Sequence, residues 1–287
     1  MTQAKSVPDP TPQQNTLRIG DREVTCHIAG KPVAGRDPIV LIHGTSGRVS
    51  THFGFLFPML AVNNHVLGVD WADPGQDGPL ELEHLEAQVL GAVADVLPGQ
   101  KITLVGYSLG AVLAAFIAAR HPDLVRNLVL VAGWMKTDLH QTLRNTVWQA
   151  LYAAQSPAIR EYTVYCASGA PFLASKTAAD MAPALEGVVV DSFVAAQMDL
   201  NRRIDISALV PQIRARTLVI GGTHDNMVPR HHSKALFGAI EDARYTEIAA
   251  GHGVVFERAP ELMRQIEIFA QAPGTWPAGS IIPALKA

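Results

Sequence analysis

The chain has little cysteine and no long uninterrupted apolar run, and each shortage excludes a class of protein. Its 287 residues include only two cysteines, Cys26 and Cys166, far apart in sequence. Two such cysteines form neither a disulfide scaffold nor a metal-binding motif, so we expect buried thiols in a reducing, cytoplasmic environment. No apolar run is long enough to span a bilayer, and the first residues lack the apolar region of a signal peptide, so we expect no membrane partner.

Charge of either sign is also scarce. Charged residues make up 17% of the chain, the net charge is −3, and no run of Lys or Arg forms a basic stripe. We therefore expect no nucleic-acid partner. We expect a small molecule as the partner instead. Glycine-rich phosphate loops and dinucleotide fingerprints are missing too, so we expect no cofactor. Hydrophobic residues reach 48%, which allows a large buried core.

Short apolar runs alternate with helical patterns along the chain. Residues 16–30 alternate apolar and polar side chains around Gly20-Asp21, which predicts an antiparallel hairpin. Continuous Val/Ile/Leu runs are typical of parallel strands buried on both faces. The pattern predicts an α/β fold with a mostly parallel sheet, whose further strands lie at 38–44, 65–71, 101–108, 125–133, 215–222 and 243–249, with helices at 80–97, 109–122 and 259–272.

The same pattern divides the chain into a core, a cap and two tails. Residues 16–133 and 206–272 form the predicted core. Residues 134–205 contain no clear strand and have helical patterns broken by prolines, which predicts a helical cap (lid) over a binding site. Residues 1–15 are polar and Pro-rich, so we expect a flexible tail. The tail at 273–287 is not helical and either lies along the surface or reaches a neighbouring subunit, so both a monomer and a homodimer are open.

Residues 106–110 read Gly-Tyr-Ser-Leu-Gly, a short motif that can carry chemistry. Ser108 lies where a predicted strand is followed directly by a predicted helix. This context is typical of a nucleophile elbow, in which a sharp turn lifts the serine hydroxyl above the carboxyl edge of the sheet. Gly106 and Gly110 would permit the close packing of such a turn. The alternative is a tight turn with an incidental serine, and the strand-helix context favours the nucleophile.

A serine nucleophile needs a base and an acid that orients the base. Among the 11 histidines, His252 follows the last predicted strand and has a glycine on each side. Asp225 follows the preceding strand, so both lie at the same sheet edge as Ser108. Asp138 lies just past the strand that ends near Gly133, at the same edge of the sheet. It is the alternative candidate for the acid that orients the histidine.

The reaction also needs two backbone amides to hold an oxyanion. We predict that these are the amides of Leu109, directly after the nucleophile, and of Thr45 in the loop after the first parallel strand. His43 precedes that loop and is interpreted mainly as a brace for it, with substrate contact as the second possibility. Ser46 or the Thr45 hydroxyl could contact substrate.

Other polar and aromatic residues have weaker assignments. Tyr107 beside the nucleophile and the cap aromatics Trp134, Trp148 and Phe172 are candidates for contact with an apolar substrate, although packing within the cap core explains the cap aromatics equally well. No metal site is expected. His224 and the pair His231-His232 lack a partner at metal-ligand spacing and are interpreted as solvated or helix-capping residues.

Taken together, these motifs resemble the α/β-hydrolase superfamily over about residues 17–270. "LIHGTSG", "LVGYSLGAVLAAFIAARHP", "TLVIGGTHDNMVP" and "GHGVVFERAPE" follow the order of that family. The resemblance implies an eight-stranded sheet, a cap at about 134–205 and the catalytic triad Ser108–Asp225–His252. It is strongest to small bacterial enol-lactonases, esterases and polyketide-tailoring enzymes of natural-product biosynthesis. The segment 70–78 departs from the pattern of relatives, which places substrate preference in question.

The resemblance therefore implies a cofactor-free serine hydrolase that cleaves an ester, lactone or thioester of a small to medium apolar substrate through an acyl-enzyme. An alternative on the same fold is a lyase, cyclase or C–C-bond-cleaving enzyme in which the histidine acts as a base without an acyl-enzyme. A ligand-binding receptor is a further alternative, which the complete triad disfavours.

Overall fold

The computed structural model describes residues 12–75 and 77–284. Most of the predicted flexible tail, residues 1–11, lies outside the described residues. The first strand begins at Gln13, and residues 13–15 pair with the second strand. The predicted tail, which extended to residue 15, is therefore too long at its C-terminal end.

Eight strands form one sheet in the order β1-β2-β4-β3-β5-β6-β7-β8. The first two strands are antiparallel, β2 is antiparallel to β4, and all other neighbours are parallel. This confirms the predicted mostly parallel sheet opened by a hairpin. The strands are β1 (Gln13–Ile19), β2 (Arg22–Ala29), β3 (Ile39–Ile42), β4 (Val66–Asp70), β5 (Ile102–Tyr107), β6 (Val125–Val131), β7 (Arg216–Gly222) and β8 (Ala243–Ile248).

The core lies on both faces of this sheet. Alternate residues of β3 enter different apolar clusters: Val40 and Ile42 pack on one face, and Ile39 and Leu41 on the other. All four are fully buried. A strand buried on both faces has no position for a polar side chain, which is why the parallel strands appear as continuous apolar runs.

Helices cover both faces, and five of them lie between β6 and β7. Those five, α5 to α9, occupy the region where a cap was predicted. The helices are α1 (Val49–His52), α2 (Leu56–Ala61), α3 (Leu82–Val96), α4 (Leu109–Arg120), α5 (Leu139–Ala153), α6 (Ile159–Ala167), α7 (Ala170–Ala174), α8 (Ala178–Glu186), α9 (Ser192–Arg203), α10 (Arg230–Ala239), α11 (Val254–Glu257) and α12 (Ala259–Gln271). Within the described ranges, none of these helices is long and apolar enough to cross a membrane.

The described part of the C-terminal tail lies along its own sheet. The Tyr245 amide in β8 donates to the Ser280 carbonyl (2.9 Å), and the Ile282 amide donates to the Tyr245 carbonyl (2.7 Å). Ile282 is buried. Of the two predicted placements of this tail, the structure therefore has the one along the surface of its own chain.

Candidate active site

The sharp turn between β5 and α4 places Ser108 at the carboxyl edge of the sheet. Ser108 has a left-handed backbone conformation, with φ 57° and ψ −123°, which costs a non-glycine residue roughly 1–3 kcal/mol. Neighbouring backbone leaves no space for side chains here. A Cβ on Gly106 would collide with the Gly110 carbonyl, and one on Gly44 would lie 2.8 Å from the Ser108 Cβ. The glycines of the motif are therefore required by packing.

The loops after β7 and β8 bring an acid and a histidine to this serine. His252 Nε2 lies 2.8 Å from Ser108 Oγ, and His252 Nδ1 lies 2.8 Å from Asp225 Oδ2. All three residues are at least nine-tenths buried. A carboxylate acceptor at Nδ1 fixes the proton on that nitrogen and leaves Nε2 free to accept the serine proton. The arrangement can generate a serine nucleophile.

Backbone groups hold the acid and the histidine in place. Asp225 Oδ1 accepts hydrogen bonds from the amides of Met227 (2.9 Å) and Val228 (2.8 Å). The Tyr107 hydroxyl donates to the His252 carbonyl (2.9 Å), and burial raises the pKa of Tyr107 well above its usual value. Tyr107 is thus a neutral hydrogen-bond donor to the backbone of His252. It is also part of the cavity wall.

The rival acid, Asp138, faces other partners. Its Oδ1 accepts from the Gln141 amide (2.9 Å) as the N-cap of α5. Its Oδ2 lies 3.0 Å from His231 Nε2 and 3.2 Å from His232 Nε2. The alternative left open by the sequence is therefore resolved geometrically, because His252 contacts Asp225 and not Asp138.

The same cluster corrects the interpretation of His231 and His232. The sequence showed no partner at metal-ligand spacing, but the fold brings Asp138 from 93 residues away. The three side chains could offer a cation their ligand atoms, which lie within 4.8 Å of one another. Within this cluster Asp138 hydrogen-bonds His231 and caps α5, while the buried His232 Nε2 has no hydrogen-bond partner among the described residues.

The two amides predicted to hold the oxyanion are those of Leu109, next to Ser108 in the chain, and of Thr45, which lines the same cavity as Ser108. Among the described residues, neither the Leu109 amide at the start of α4 nor the Thr45 amide has a hydrogen-bond partner. The loop that carries Thr45 is held from the cap. Asn201 Nδ2 donates to Thr45 Oγ1 (3.0 Å), and the Ser46 amide donates to Gln197 Oε1 (3.2 Å). Helix α9 thus positions the predicted oxyanion loop.

His43 lies behind this loop and outside the cavity. Its side chain is almost fully buried, Nδ1 lies 2.8 Å from the Gly44 carbonyl, and its ring centroid is 4.1 Å from that of Trp71. The assignment of His43 to substrate binding is therefore wrong, because it is absent from the cavity lining. Its contacts are those of the predicted brace.

His52, which the sequence analysis missed, lines the cavity on the other side of the loop. Its Nδ1 accepts from the Gly44 amide (3.1 Å), and its ring contacts Tyr107 edge-on with centroids 5.0 Å apart. Burial lowers the pKa of His52 to about 3, and burial lowers that of His43 to about 4. Both imidazoles are neutral in the folded chain at neutral pH.

These two neutral histidines predict acid destabilisation of the fold. As pH falls below about 6.5, the unfolded chain binds protons at His43 and His52 that the folded chain does not bind. The free energy of unfolding should therefore fall by up to about 1.4 kcal/mol per pH unit for each histidine, until pH passes the folded pKa values of about 4 and 3. Thermal unfolding from pH 7.5 to 4.5 checks this.

The matched variants for that measurement are His52→Asn and His224→Asn. Asparagine at 52 keeps an acceptor near the Gly44 amide but does not titrate, so the decline of Tm with pH should become shallower. His224 is exposed, and its variant should keep the wild-type slope. Equal slopes for all three proteins would contradict this account of His52.

A cavity of about 540 Å³ lies between the core and the cap and reaches Ser108 and His252. Trp134, Trp148 and Phe172 line it, as do Thr45 and Ser46. Trp148 also packs in the cap core beside Ile159, Val194 and Met198, so its side chain belongs both to the cavity wall and to the cap core.

The segment 70–78, whose departure from relatives placed substrate preference in question, has no described residue in the cavity lining. Asp70 instead accepts from the Val49 amide (2.6 Å) and contacts His27 Nε2 (2.9 Å). It anchors the start of α1 behind the oxyanion loop.

Several known proteins are similar to this chain over most of its length. Residues 39–266 match the profile of a family described as the alpha/beta hydrolase family. Pyrrolizixenacetamide deacetylase of Xenorhabdus hominickii is 32% identical over 270 residues, covering 89% of this chain and 97% of that protein. 2-hydroxy-6-oxo-2,4-heptadienoate hydrolase of Pseudomonas putida is 27% identical over 270 residues, covering 88% and 94%.

Solved structures share the same fold. The enol-lactonase from Burkholderia xenovorans LB400 superposes with a TM-score of 0.77 at 22% identity, and the match covers 90% of this chain and 100% of that chain. At this identity the likeness concerns the fold, in which an eight-stranded, mostly parallel sheet carries helices on both faces.

Proposed function

The chain belongs to the alpha/beta hydrolase family, and from this premise we propose that it is a serine hydrolase that cleaves an ester, lactone or thioester through an acyl-enzyme and needs no cofactor. One observation carries the proposal. Asp225, His252 and Ser108 form an unbroken chain of 2.8 Å contacts in a buried site.

The reaction begins at the serine hydroxyl. Ser108 Oγ attacks the substrate carbonyl carbon while His252 Nε2 accepts the serine proton. The carbonyl oxygen becomes an oxyanion and accepts hydrogen bonds from the Thr45 and Leu109 amides. Each such donor is worth about 10²–10³ in rate. Asp225 stabilises the imidazolium that forms, and the dipole of α4 favours negative charge beside its first residue.

The intermediate then collapses in two stages. His252 returns the proton to the leaving alcohol or thiol as its bond to the carbonyl carbon breaks, which leaves the acyl group on Ser108. Water then attacks the acyl carbon and transfers a proton to His252, and the Ser108–acyl bond breaks with return of the proton to Oγ. The products are a carboxylic acid and free enzyme.

The cavity favours a substrate of small to medium size. Its volume of about 540 Å³ lies in the lower half of the range typical of small-molecule sites. Trp134, Trp148 and Phe172 give it apolar walls. We therefore propose an apolar group next to the scissile carbonyl.

A second candidate reaction is removal of a small acyl group from nitrogen. The observation that favours it is the 32% identity with a protein named as a deacetylase, over almost the full length of both chains. The same residues serve both reactions, since only the leaving group differs. An amine leaves less readily than an alcohol, so proton return by His252 becomes more demanding.

A panel of activated substrates tests the proposal. We expect turnover of p-nitrophenyl esters with acyl groups from acetyl to hexanoyl, because acyl groups of this size fit within a cavity of about 540 Å³. The panel includes a lactone, a thioester and an N-acetyl anilide, which separate the two reactions. No turnover of any member would overturn the proposal, and consumption of a true substrate without acyl transfer would favour a lyase or cyclase.

A further inference from the structure

Helix α5 of the cap presents one side to the cavity. Gln141, Arg144, Asn145 and Trp148 recur at the spacing of one helix face, and all four line the cavity that holds Ser108 and His252. Arg144 also lines a neighbouring cavity of about 460 Å³. A cationic side chain therefore lies in the wall of an otherwise mostly apolar chamber.

Within the described chain, nothing neutralises this guanidinium. No described carboxylate lies within 4.0 Å of the Arg144 nitrogens. Its Nε is buried and has no hydrogen-bond acceptor.

The carboxylates of the cavity wall have other partners. Glu257 accepts hydrogen bonds from the amides of Gly169 (2.8 Å) and Gly251 (2.9 Å). Asp180 accepts from the Thr177 amide and hydroxyl, both at 2.8 Å. Asp225, which is not part of the cavity lining, is bound to His252. Each of these carboxylates is therefore held by a partner other than Arg144.

An unpaired and partly buried charge is costly to keep. Burial lowers the pKa of Arg144, yet a guanidinium remains protonated in proteins. A chain that needed only a cavity wall at this position would be more stable with an apolar side chain of similar volume. An anion that enters the cavity would supply the missing partner.

We propose that Arg144 is an anion subsite and that the natural substrate carries a carboxylate separate from its scissile carbonyl. This deepens the proposed function and rests on it. A guanidinium binds a carboxylate through two parallel hydrogen bonds. One guanidinium balances one negative charge, which suits a carboxylate better than a phosphate monoester with a charge near −2.

Pairs of substrates that differ only in a carboxylate test whether Arg144 recognises that charge. p-Nitrophenyl monoesters of succinic, glutaric, adipic and suberic acids carry a free carboxylate at increasing reach, and their methyl-capped forms are neutral. At the best length, wild type should prefer the acid to the capped form by on the order of 100-fold in kcat/KM, and Arg144→Met should remove this preference. Arg144→Lys should restore part of it, because it keeps the charge and loses the planar fork.

Two controls separate a charge effect from a structural one. Arg202→Met removes an exposed cation elsewhere in the cap and should keep the wild-type preference. Arg144→Met should unfold at a higher temperature than wild type, since it removes an unpaired and partly buried charge. A wild type with no preference for the acid, or an Arg144→Met variant that slows both substrates equally, would overturn the proposal.

Binding without turnover separates this inference from the proposed function. In Ser108→Ala, hexanoate should bind measurably by calorimetry, hexanamide should not, and Ser108→Ala/Arg144→Met should lose hexanoate binding. If wild type hydrolyses no ester but this binding pattern holds, the hydrolase proposal fails and the anion subsite stands. If esters are hydrolysed but hexanoate and hexanamide bind alike, the subsite is overturned and the hydrolase proposal stands.

Discussion

Asp225→Asn should lower kcat by about 10⁴-fold on a short activated ester. The amide can donate to His252 Nδ1, which would place the imidazole proton on Nε2 and leave no acceptor for the Ser108 proton. The substitution changes little in shape, and the amides of Met227 and Val228 still have an oxygen to bind. The loss should therefore fall on kcat, with KM and Tm close to wild type.

The matched control is Asp138→Asn, at the rival acid. Asparagine caps helices as well as aspartate, and His252 does not contact this residue, so kcat should stay within about threefold of wild type. Steady-state kinetics on the two variants give the comparison. The reverse pattern, with a large loss in Asp138→Asn and a small one in Asp225→Asn, would contradict the assignment of the acid.

Ser108→Ala should remove activity almost completely, by about 10⁴- to 10⁶-fold in kcat. Without Oγ there is no nucleophile, and only the two amides and substrate binding remain to assist direct attack by water. Alanine is as able as serine to adopt the left-handed conformation at 108, so the variant should fold normally. Rates are read on p-nitrophenyl acetate against the uncatalysed hydrolysis.

Ser233→Ala is the control for that experiment. Ser233 is a buried serine in α10 whose hydroxyl has no hydrogen-bond partner among the described residues, and it does not line the cavity. Its variant should keep wild-type kcat. Full activity in Ser108→Ala would show that another residue is the nucleophile.

The sheet could be predicted because its strands are short, apolar and buried on both faces. Such runs allow few other structures, and the helices between them fix parallel neighbours. Ser108, Asp225 and His252 could be placed together for the same reason, since each follows a predicted strand at one sheet edge. Position after a strand does not separate Asp225 from Asp138, and the preference for Asp225 came from the resemblance to the α/β-hydrolase superfamily. In the structure His252 contacts Asp225.

The cap residues could not be predicted in this way. Arg144, Gln197 and Asn201 lie on amphipathic helices whose position over the sheet depends on packing between distant segments. No motif distinguishes a cavity-facing arginine on such a helix from a solvated one. His52 was missed because its role depends on a single bond to the Gly44 amide, across a loop whose turn the sequence does not specify. His43 was also listed as a candidate for substrate contact, because the sequence does not show that its side chain lies behind the loop and outside the cavity.

The account depends most directly on a covalent bond to Ser108, and labelling with a fluorophosphonate followed by mass spectrometry tests it. Wild type should gain one phosphonyl group within the tryptic peptide 102–120, while Ser108→Ala should gain none and Asp225→Asn should label far more slowly. An unlabelled wild type, or a label on any other peptide that survives in Ser108→Ala, would contradict the account.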